Sequence, residues 1–594
     1  MTIPIPPRTR AQESRAAIER LYVVMRHLFV RGHYRPGGVS GQALVEALKT
    51  LQPEIYGSIA DPEKVELDGL AYVIERLPRG IEQCRFVKLI AAEGYEDSGF
   101  ETIVPAKRRR NCYRIDEETM SIEVTRGRSE IYDILTHLTF LHVEGEKIKE
   151  HALEDDRPTR EWLKLEEMMA VESRQRSQNP GKIEDADWRD RAFSYLSTLL
   201  GRTFEETVQA YHRFSQSGAN NNGLFHIIYW LGRNAMEARQ PEYAQQVVFS
   251  PTLRERIGHH IHGETWANDV KAFLMEKQLW NRPLHVISAN LHSVLNALFA
   301  FPLLGRSPQM LKSPKTIEAL ALELSAPTSA RLNREVREFA SQHGMDFLED
   351  RAGTNVHVQI IDTSRLPFDR LSEELQIDRE QVEREKPVLL VMDYAFGEQA
   401  FEIMDELLKP YQFDGASHKL NVRSISVLGK AGILAGQKGD LMVPTAHIFE
   451  GTADNYPIEN DLAIEDLKEC GIPVFEGAMV TVLGTSLQNA DILEYFKSSS
   501  WNVIGLEMEG AHLQKAIQAA SKIRKSIDEN VILRYAYYAS DNPLLTGSTL
   551  ASGSLGKIGV KPTYAITLAV LRKILNSHHR DPEDIERGSF FRKE

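Results

Sequence analysis

Apolar positions recur at helical spacing over residues 11–29 and again over 43–51, so two packed helices are expected near the start of the chain. Between Tyr72 and Thr125 the pattern is mixed, with strand-like pieces at 84–90 and 121–124. Residues 1–150 therefore read as an α+β domain of unknown role. The charged stretch Glu154-Asp155-Asp156-Arg157-Pro158 marks a boundary. From Trp162 to about Trp280 the period is helical, broken by the turn signal at 218–223, and 151–282 reads as a mostly helical domain.

From Pro283 short β-rich runs alternate with helical segments, the signature of an α/β domain. Leu284–Ser288 reads as a strand, with a helix after it at 292–301. Further strands are expected at 356–361, 387–392, 424–428, 440–444, 478–483 and 531–538, with a closing helix at 565–575. Residues 283–578 are read as one domain and 579–594 as a polar tail.

Composition narrows the functional classes. At 594 residues and 67.4 kDa two or three domains are expected, and 42% hydrophobic with 26% charged residues fits globular domains. A net charge of −13 disfavours nucleic acid and membrane surfaces as partners. The basic run Lys107-Arg108-Arg109-Arg110 has no interleaved aromatics and reads as a solvated loop. Cys84, Cys112 and Cys470 form neither a disulfide framework nor a metal spacing, so a reducing, cytoplasmic location is expected. The start lacks a signal-peptide pattern, and no apolar run approaches the ~20 residues that span a bilayer. His259-His260-Ile261-His262-Gly263-Glu264 lacks a metal-binding helix spacing and reads as a polar helix end; no metal is expected.

Two motifs carry chemistry. Gly505-Leu506-Glu507-Met508-Glu509-Gly510-Ala511 is followed by an apolar run ending at Ser540-Asp541-Asn542-Pro543. On these residues, 283–578 resembles the purine nucleoside phosphorylase and nucleosidase superfamily, whose members carry a Glu-Met-Glu ribose motif and a Ser-Asp at the end of the next strand. The resemblance implies a three-layer domain with a central mixed sheet, so the fold class expected is α/β, with this domain preceded by the α+β and helical domains. It implies that Glu509 takes the ribose hydroxyls, Met508 packs on the sugar with Glu507 beside it, and Asp541 with Ser540 serves the purine, Asp541 protonating N7. Chemically this is coherent, because a carboxylate accepts two hydroxyls at once and a carboxyl donor stabilises a departing base. On residue type alone, Glu507 and Glu509 also suit a helix start, and Ser-Asp-Asn-Pro a turn.

Val427-Leu428-Gly429-Lys430-Ala431-Gly432 resembles the family's anion-binding segment, with Gly429 allowing backbone approach and Lys430 where phosphorolytic members commonly place Ser. Lys430 binds phosphate or a 5′-phosphate, or is a surface lysine; Arg423 is a weaker candidate. Val391-Met392-Asp393-Tyr394-Ala395-Phe396-Gly397 resembles the Gly-His-Gly-Met-Gly turn but retains only its last glycine; the resemblance puts Phe396 and Gly397 at the sugar and Glu398 near water or a hydroxyl, and the alternative is a buried strand with an ordinary exit turn. In the loop after the first strand, Asn290, His292 and Ser293 are donors, although Asn and Ser are also ordinary N-caps. Ser548, Thr549 and Lys557 lie in a Gly/Ser-rich loop able to close over a ligand.

The implied function is cleavage of the N-glycosidic bond of a purine nucleoside or nucleotide, phosphorolytic or hydrolytic. No cofactor is expected beyond inorganic phosphate as co-substrate. The alternatives are a hydrolase like AMP nucleosidase and an inactive nucleotide sensor. A homo-oligomer is expected by resemblance.

Overall fold

The computed structural model describes residues 8–178, 186–216, 223–305, 315–452, 454–545 and 555–576. The expected turn at 218–222, the loop residues Ser548 and Thr549, and the tail at 579–594 lie outside the described residues. The chain forms two compact units. One is Met1–Ile261 with Glu450–Thr452 and Leu483–Tyr495; the other is His262–Phe449 with Ala453–Val482 and Phe496–Glu594.

The first unit opens with the helix Arg10–Arg31, where Thr9 and Gln12 form a reciprocal capping box and Gly32, at φ 76°, ends it. Its sheet runs in the order His33–Tyr34, Gln246–Phe249, Phe86–Ile90, Thr119–Glu123, Cys112–Arg114 and Glu101–Ile103. The sequence reading divides this region at residue 150. In the structure, Gln246–Phe249 from the helical half pairs with both His33–Tyr34 and Phe86–Ile90, so one sheet ties the two halves into a single unit. The helices share a core as well: Trp162 stacks on Tyr229 at 5.7 Å. The basic run also differs from its reading as a solvated loop. Arg110 is buried and pairs with Glu130 at 2.9 Å, and Arg108 pairs with Asp133 at 2.9 Å.

Besides a separate hairpin of Tyr411–Phe413 with Ala416–His418, the second unit has the strands β1 (Leu284–Ser288), β2 (Met345–Leu348), β3 (Val358–Asp362), β4 (Val388–Met392), β5 (Val422–Ile433), β6 (Leu441–Phe449), β7 (Asn455–Pro457), β8 (Val474–Thr481), β9 (Val503–Glu507) and β10 (Ile532–Asp541), all ten in its main sheet. They form one mixed sheet ordered β2-β3-β4-β1-β5-β9-β8-β6-β7, with β10 pairing to β5 and β6. Alternate residues point to opposite faces, and each face is covered. Val286, Leu390 and Ile425 pack with Trp266, Ile403, Leu407 and Leu513. Ile287, Leu389 and Leu428 pack with Leu298, Ile566 and Leu571. The result is helix, sheet, helix, the three layers expected for an α/β domain.

The twelve-residue β5 organises this sheet. Its first part lies between β1 and β10, parallel to both, while its last residues pair antiparallel with β9. β10 pairs with β6, β6 with β8, and β8 with β9. Five strands therefore close a ring, which removes the edges an open sheet would leave. The closure is tight at Gly505: a Cβ there would sit 2.5 Å from Met442 Sδ and 2.6 Å from the Gly432 carbonyl oxygen. Backbone on one side of that contact cannot yield.

Gly505→Ala is accordingly expected to lower unfolding stability by about 2–3 kcal/mol, read as a lower urea midpoint. An unchanged midpoint would show that the ring is not tight at this point.

Candidate functional site

β9 ends on Glu507, and the helix α3 (Gly510–Gln518) starts three residues later. Three groups hold the Glu507 carboxylate. Oε1 accepts the Thr481 hydroxyl from the end of neighbouring β8, and Oε2 accepts the amides of Glu509, at 2.5 Å, and Gly510. Thr481 Oγ1 in turn accepts the Ala511 amide at 3.0 Å. The first turn of α3 is thus capped by an acid from the preceding strand. Glu507, read from the sequence as touching substrate, has both oxygens engaged by the protein and works as a positioning group for the residue two places on.

That residue is Glu509, buried at 8% exposure, with Oε2 accepting the Met508 amide at 3.1 Å. Burial pushes Glu507 up to about 7 against its hydrogen bonds. Burial and the neighbouring Glu507 push Glu509 well above the usual carboxylate range, opposed by the Met508 amide and by Lys430. Two carboxyl groups this close resist ionising together.

Several separate segments converge on Glu509. A Cβ on Gly429 of β5 would lie 3.3 Å from Glu509 Oε1 and 3.3 Å from the Tyr537 ring, so the missing side chain gives the carboxylate its room. Lys430 follows, exposed and close enough for its ammonium to favour ionised Glu509. Tyr394, in the exit from β4, lies beside Asn290, Tyr538 and Glu509, and burial raises its phenol. Phe396 is 6.3 Å from Tyr394 ring to ring. Gly397, at φ 56° and ψ −135°, takes a backbone conformation suited to glycine and leads into the helix α2 (Glu398–Leu407). Met508 is half-buried beside the carboxylate it serves.

Asp541 ends β10 at 4% exposure, with the Ser540 hydroxyl against its Oδ1 and 3.1 Å from the Ala431 carbonyl. The turn is stabilised by the next residue: Asn542 Nδ2 donates to Gly436 O at 2.8 Å, and Oδ1 accepts the Leu544 amide at 3.0 Å. Asx-turn chemistry therefore belongs to Asn542, not Asp541. Gly432 pairs with Asp541 on one side and Leu506 on the other. The Ser-Asp and Glu-Met-Glu motifs consequently flank β5, their backbones about 10 Å apart by two strand spacings.

The donors expected after β1 are arranged as a helix start. Asn290 caps α1 (Leu291–Leu304), its Oδ1 accepting the Ser293 amide at 2.8 Å. His292 lies in the first turn, its ring 6.5 Å from Tyr564, and burial lowers its pKa while Asp393 opposes the shift. Asn290 is brought to the Glu509 cluster through Tyr394; Arg423 is exposed lower on β5. Lys557 lies in the short helix Gly556–Gly559.

Sequence reasoning missed Thr481, Tyr394, Tyr537 and His447. His447, on β6, is fully buried with its ring 4.9 Å from Tyr535 and Nε2 3.4 Å from the Tyr537 hydroxyl. Burial lowers its pKa to about 3, so it is neutral. A Cβ on Gly510 would sit 2.3 Å from its ring. The signal was Gly510 itself, a glycine directly after Glu509 at a helix start.

No helix among the described residues is long and apolar enough to cross a membrane. Among solved structures, the methylthioadenosine/S-adenosylhomocysteine nucleosidase of Campylobacter jejuni is similar at 12% identity and TM-score 0.30, covering 50% of this chain and 100% of that one. A futalosine hydrolase mutant of Helicobacter pylori is similar at 11% and 0.27, covering 50% and 98%. The Neisseria meningitidis methylthioadenosine/S-adenosylhomocysteine nucleosidase, in complex with methylthio-immucillin-A, is similar at 12% and 0.28, covering 49% and 99%. Likenesses at these scores establish neither fold nor function for this chain. No curated protein matches it. The model of a family of unknown function, DUF6909, matches residues 42–216 and 322–576, well over half of the sequence, and the chain belongs to that family.

Proposed function

We propose that the second unit breaks the N-glycosidic bond of a purine nucleoside or nucleotide. One observation carries this reading: Glu509, Gly429, Lys430 and Tyr394 meet at one point, with Asp541 ending the strand paired to β5. Glu509 takes the ribose hydroxyls beside Met508 and Phe396, and Lys430 with nearby backbone amides holds an anion.

In the proposed reaction the C1′–N9 bond breaks, its electron pair leaves with the purine, and the proton of Asp541 passes to N7. An oxygen of water or phosphate bonds to C1′. With water, the proton it loses restores Asp541, and the products are free purine and ribose or ribose 5-phosphate. With hydrogen phosphate, the proton it loses on bonding to C1′ restores Asp541, and the sugar product is ribose 1-phosphate from a nucleoside or ribose 1,5-bisphosphate from a nucleotide. The chain acts on small molecules without a cofactor, as a homo-oligomer.

The test is incubation of the full chain with AMP, adenosine, inosine and guanosine, with and without phosphate. Purine release is expected, and Asp541→Asn should slow it by about 10²–10⁴-fold. Binding with no base release from any of them would make the protein a sensor. Release unaffected by Asp541→Asn would refute the assigned proton donor.

A second prediction follows from the raised pKa of Glu509. A carboxyl raised by burial is protonated below its pKa and becomes a full acceptor only as pH rises through it. Affinity for an uncleavable nucleoside analogue should therefore tighten as pH rises above the ordinary carboxylate range. Glu509→Gln should weaken it about 10–100-fold at the upper end, as for a lost charge-assisted hydrogen bond, and flatten the rise. Calorimetry as a function of pH reads both; a pH dependence that survives the substitution would assign it to another group.

A further inference from the structure

β6, β8 and β9 run parallel, and their pairing ends with Phe449 opposite Thr481 and Thr481 opposite Glu507. Beyond that point the next two amides of the chain go in opposite directions. Val482 donates to the Glu507 carbonyl at 2.8 Å, and Leu483 donates to Oε2 of Glu450 at 3.3 Å. Thr481, whose hydroxyl holds the Glu507 carboxylate, is thus tied from both sides. One tie is backbone; the other is a single buried side chain.

Glu450 directly follows β6 and is 2% exposed. Burial raises its pKa to about 7, opposed by the Leu483 amide and by Arg15. The turn it opens is seated on the helix Arg10–Arg31: Arg15 Nη2 donates to the Thr452 carbonyl at 3.4 Å, and a Cβ on Gly451 would lie 3.4 Å from Ile18 Cγ2. The segment that Leu483 opens is fixed further along, where Glu54 donates its amide to the Gln488 carbonyl at 2.8 Å and Asn489 Nδ2 donates to the Leu51 carbonyl at 2.7 Å. Glu450–Thr452 and Leu483–Tyr495 both belong to the first unit. The acceptor and the donor of this bond are therefore held by one body.

Burying an acid to bond one amide is costly, and an ionised acceptor makes a bond about twice as strong as a neutral one. That strength falls two residues from Thr481, at the exit whose placement decides where the Glu507 carboxylate stands.

We propose that Glu450 is a positioning residue for the sugar-binding acid: by holding the Leu483 amide it sets the place of Thr481, and through Thr481 the Glu507 carboxylate and the turn that carries Glu509. Its effect on nucleoside affinity rests on the function proposed above; the positioning itself does not.

Hydrogen exchange of the full chain, read by mass spectrometry, tests the positioning without a ligand. In Glu450→Leu the amides of Glu509 and Gly510, the donors to Glu507, are expected to exchange about tenfold faster, while those of β1 keep the parent's rates. Glu450→Gln, whose side-chain oxygen still accepts the Leu483 amide, should stay within about twofold of the parent. Should the leucine variant fail to fold, Glu450→Asp, a methylene too short to reach the amide, is expected to speed the same two amides about threefold. Calorimetry with an uncleavable purine nucleoside analogue reads the effect on the site. Glu450→Leu should weaken binding about threefold, and a double variant with Thr481→Val should bind no more weakly than Thr481→Val alone, because both act through Glu507. Unchanged exchange at Glu509 and Gly510, or acceleration shared equally with β1, overturns the proposal. A parent chain that binds no analogue contradicts the nucleoside reading instead, and the exchange rates then decide the positioning on their own.

Discussion

The geometry around Glu509 depends on the carboxylate of Glu507. It is a buried acid held by one hydroxyl and two backbone amides, and each donor comes from a place the fold must bring near: Thr481 from the end of β8, and the amides of Glu509 and Gly510 from the turn into α3. Three donors removed from water need three acceptor sites, and a carboxylate supplies about four where an amide or hydroxyl oxygen supplies two. The same interaction fixes the turn whose middle residue is Glu509. Burial is the main cause of Glu509's raised pKa, and the acid that caps the helix adds to it.

Two glycines on β5 extend this arrangement. Gly429 gives Glu509 Oε1 its space, while Gly432 pairs with β9 and β10 together, setting the Glu-Met-Glu and Ser-Asp motifs on either side of one strand. Motifs about thirty residues apart in sequence become neighbours because β5 is long enough to reach both. His447, neutral and buried against Gly510, supports the turn from beneath.

Much of the second unit was legible in the sequence, since β1, β4, β5 and β10 are runs of apolar or β-branched residues between turn signals. The short edge strands β2 and β7 were not, because Met345–Leu348 and Asn455–Pro457 carry the mixed polarity of partly exposed positions. β9 escaped for a different reason: its five buried residues hold a glycine and end on a glutamate, which obscures the apolar signature. In the first unit, periodicity marked the helices but could not show that Gln246–Phe249 pairs with a strand some 160 residues earlier, since pairing partners leave no local trace. The basic run was misread because a charge pattern does not reveal Glu130 and Asp133 folded against it. At the site, Glu509, Asp541, Gly429 and Lys430 carried motif signals. Tyr537 and His447 resembled ordinary core residues on apolar strands, and Tyr394 part of an ordinary strand exit.

The central claim is geometric: Glu509 and Asp541 serve the sugar and the base of one nucleoside. A crystal structure of the full chain with an uncleavable purine nucleoside analogue tests it most directly. The account predicts the ribose 2′- and 3′-hydroxyls within hydrogen-bonding distance of Glu509 and the purine N7 facing Asp541, with the sugar against Met508. A nucleoside bound away from both carboxyl groups, or one whose base meets Glu509 while Asp541 points elsewhere, would contradict it.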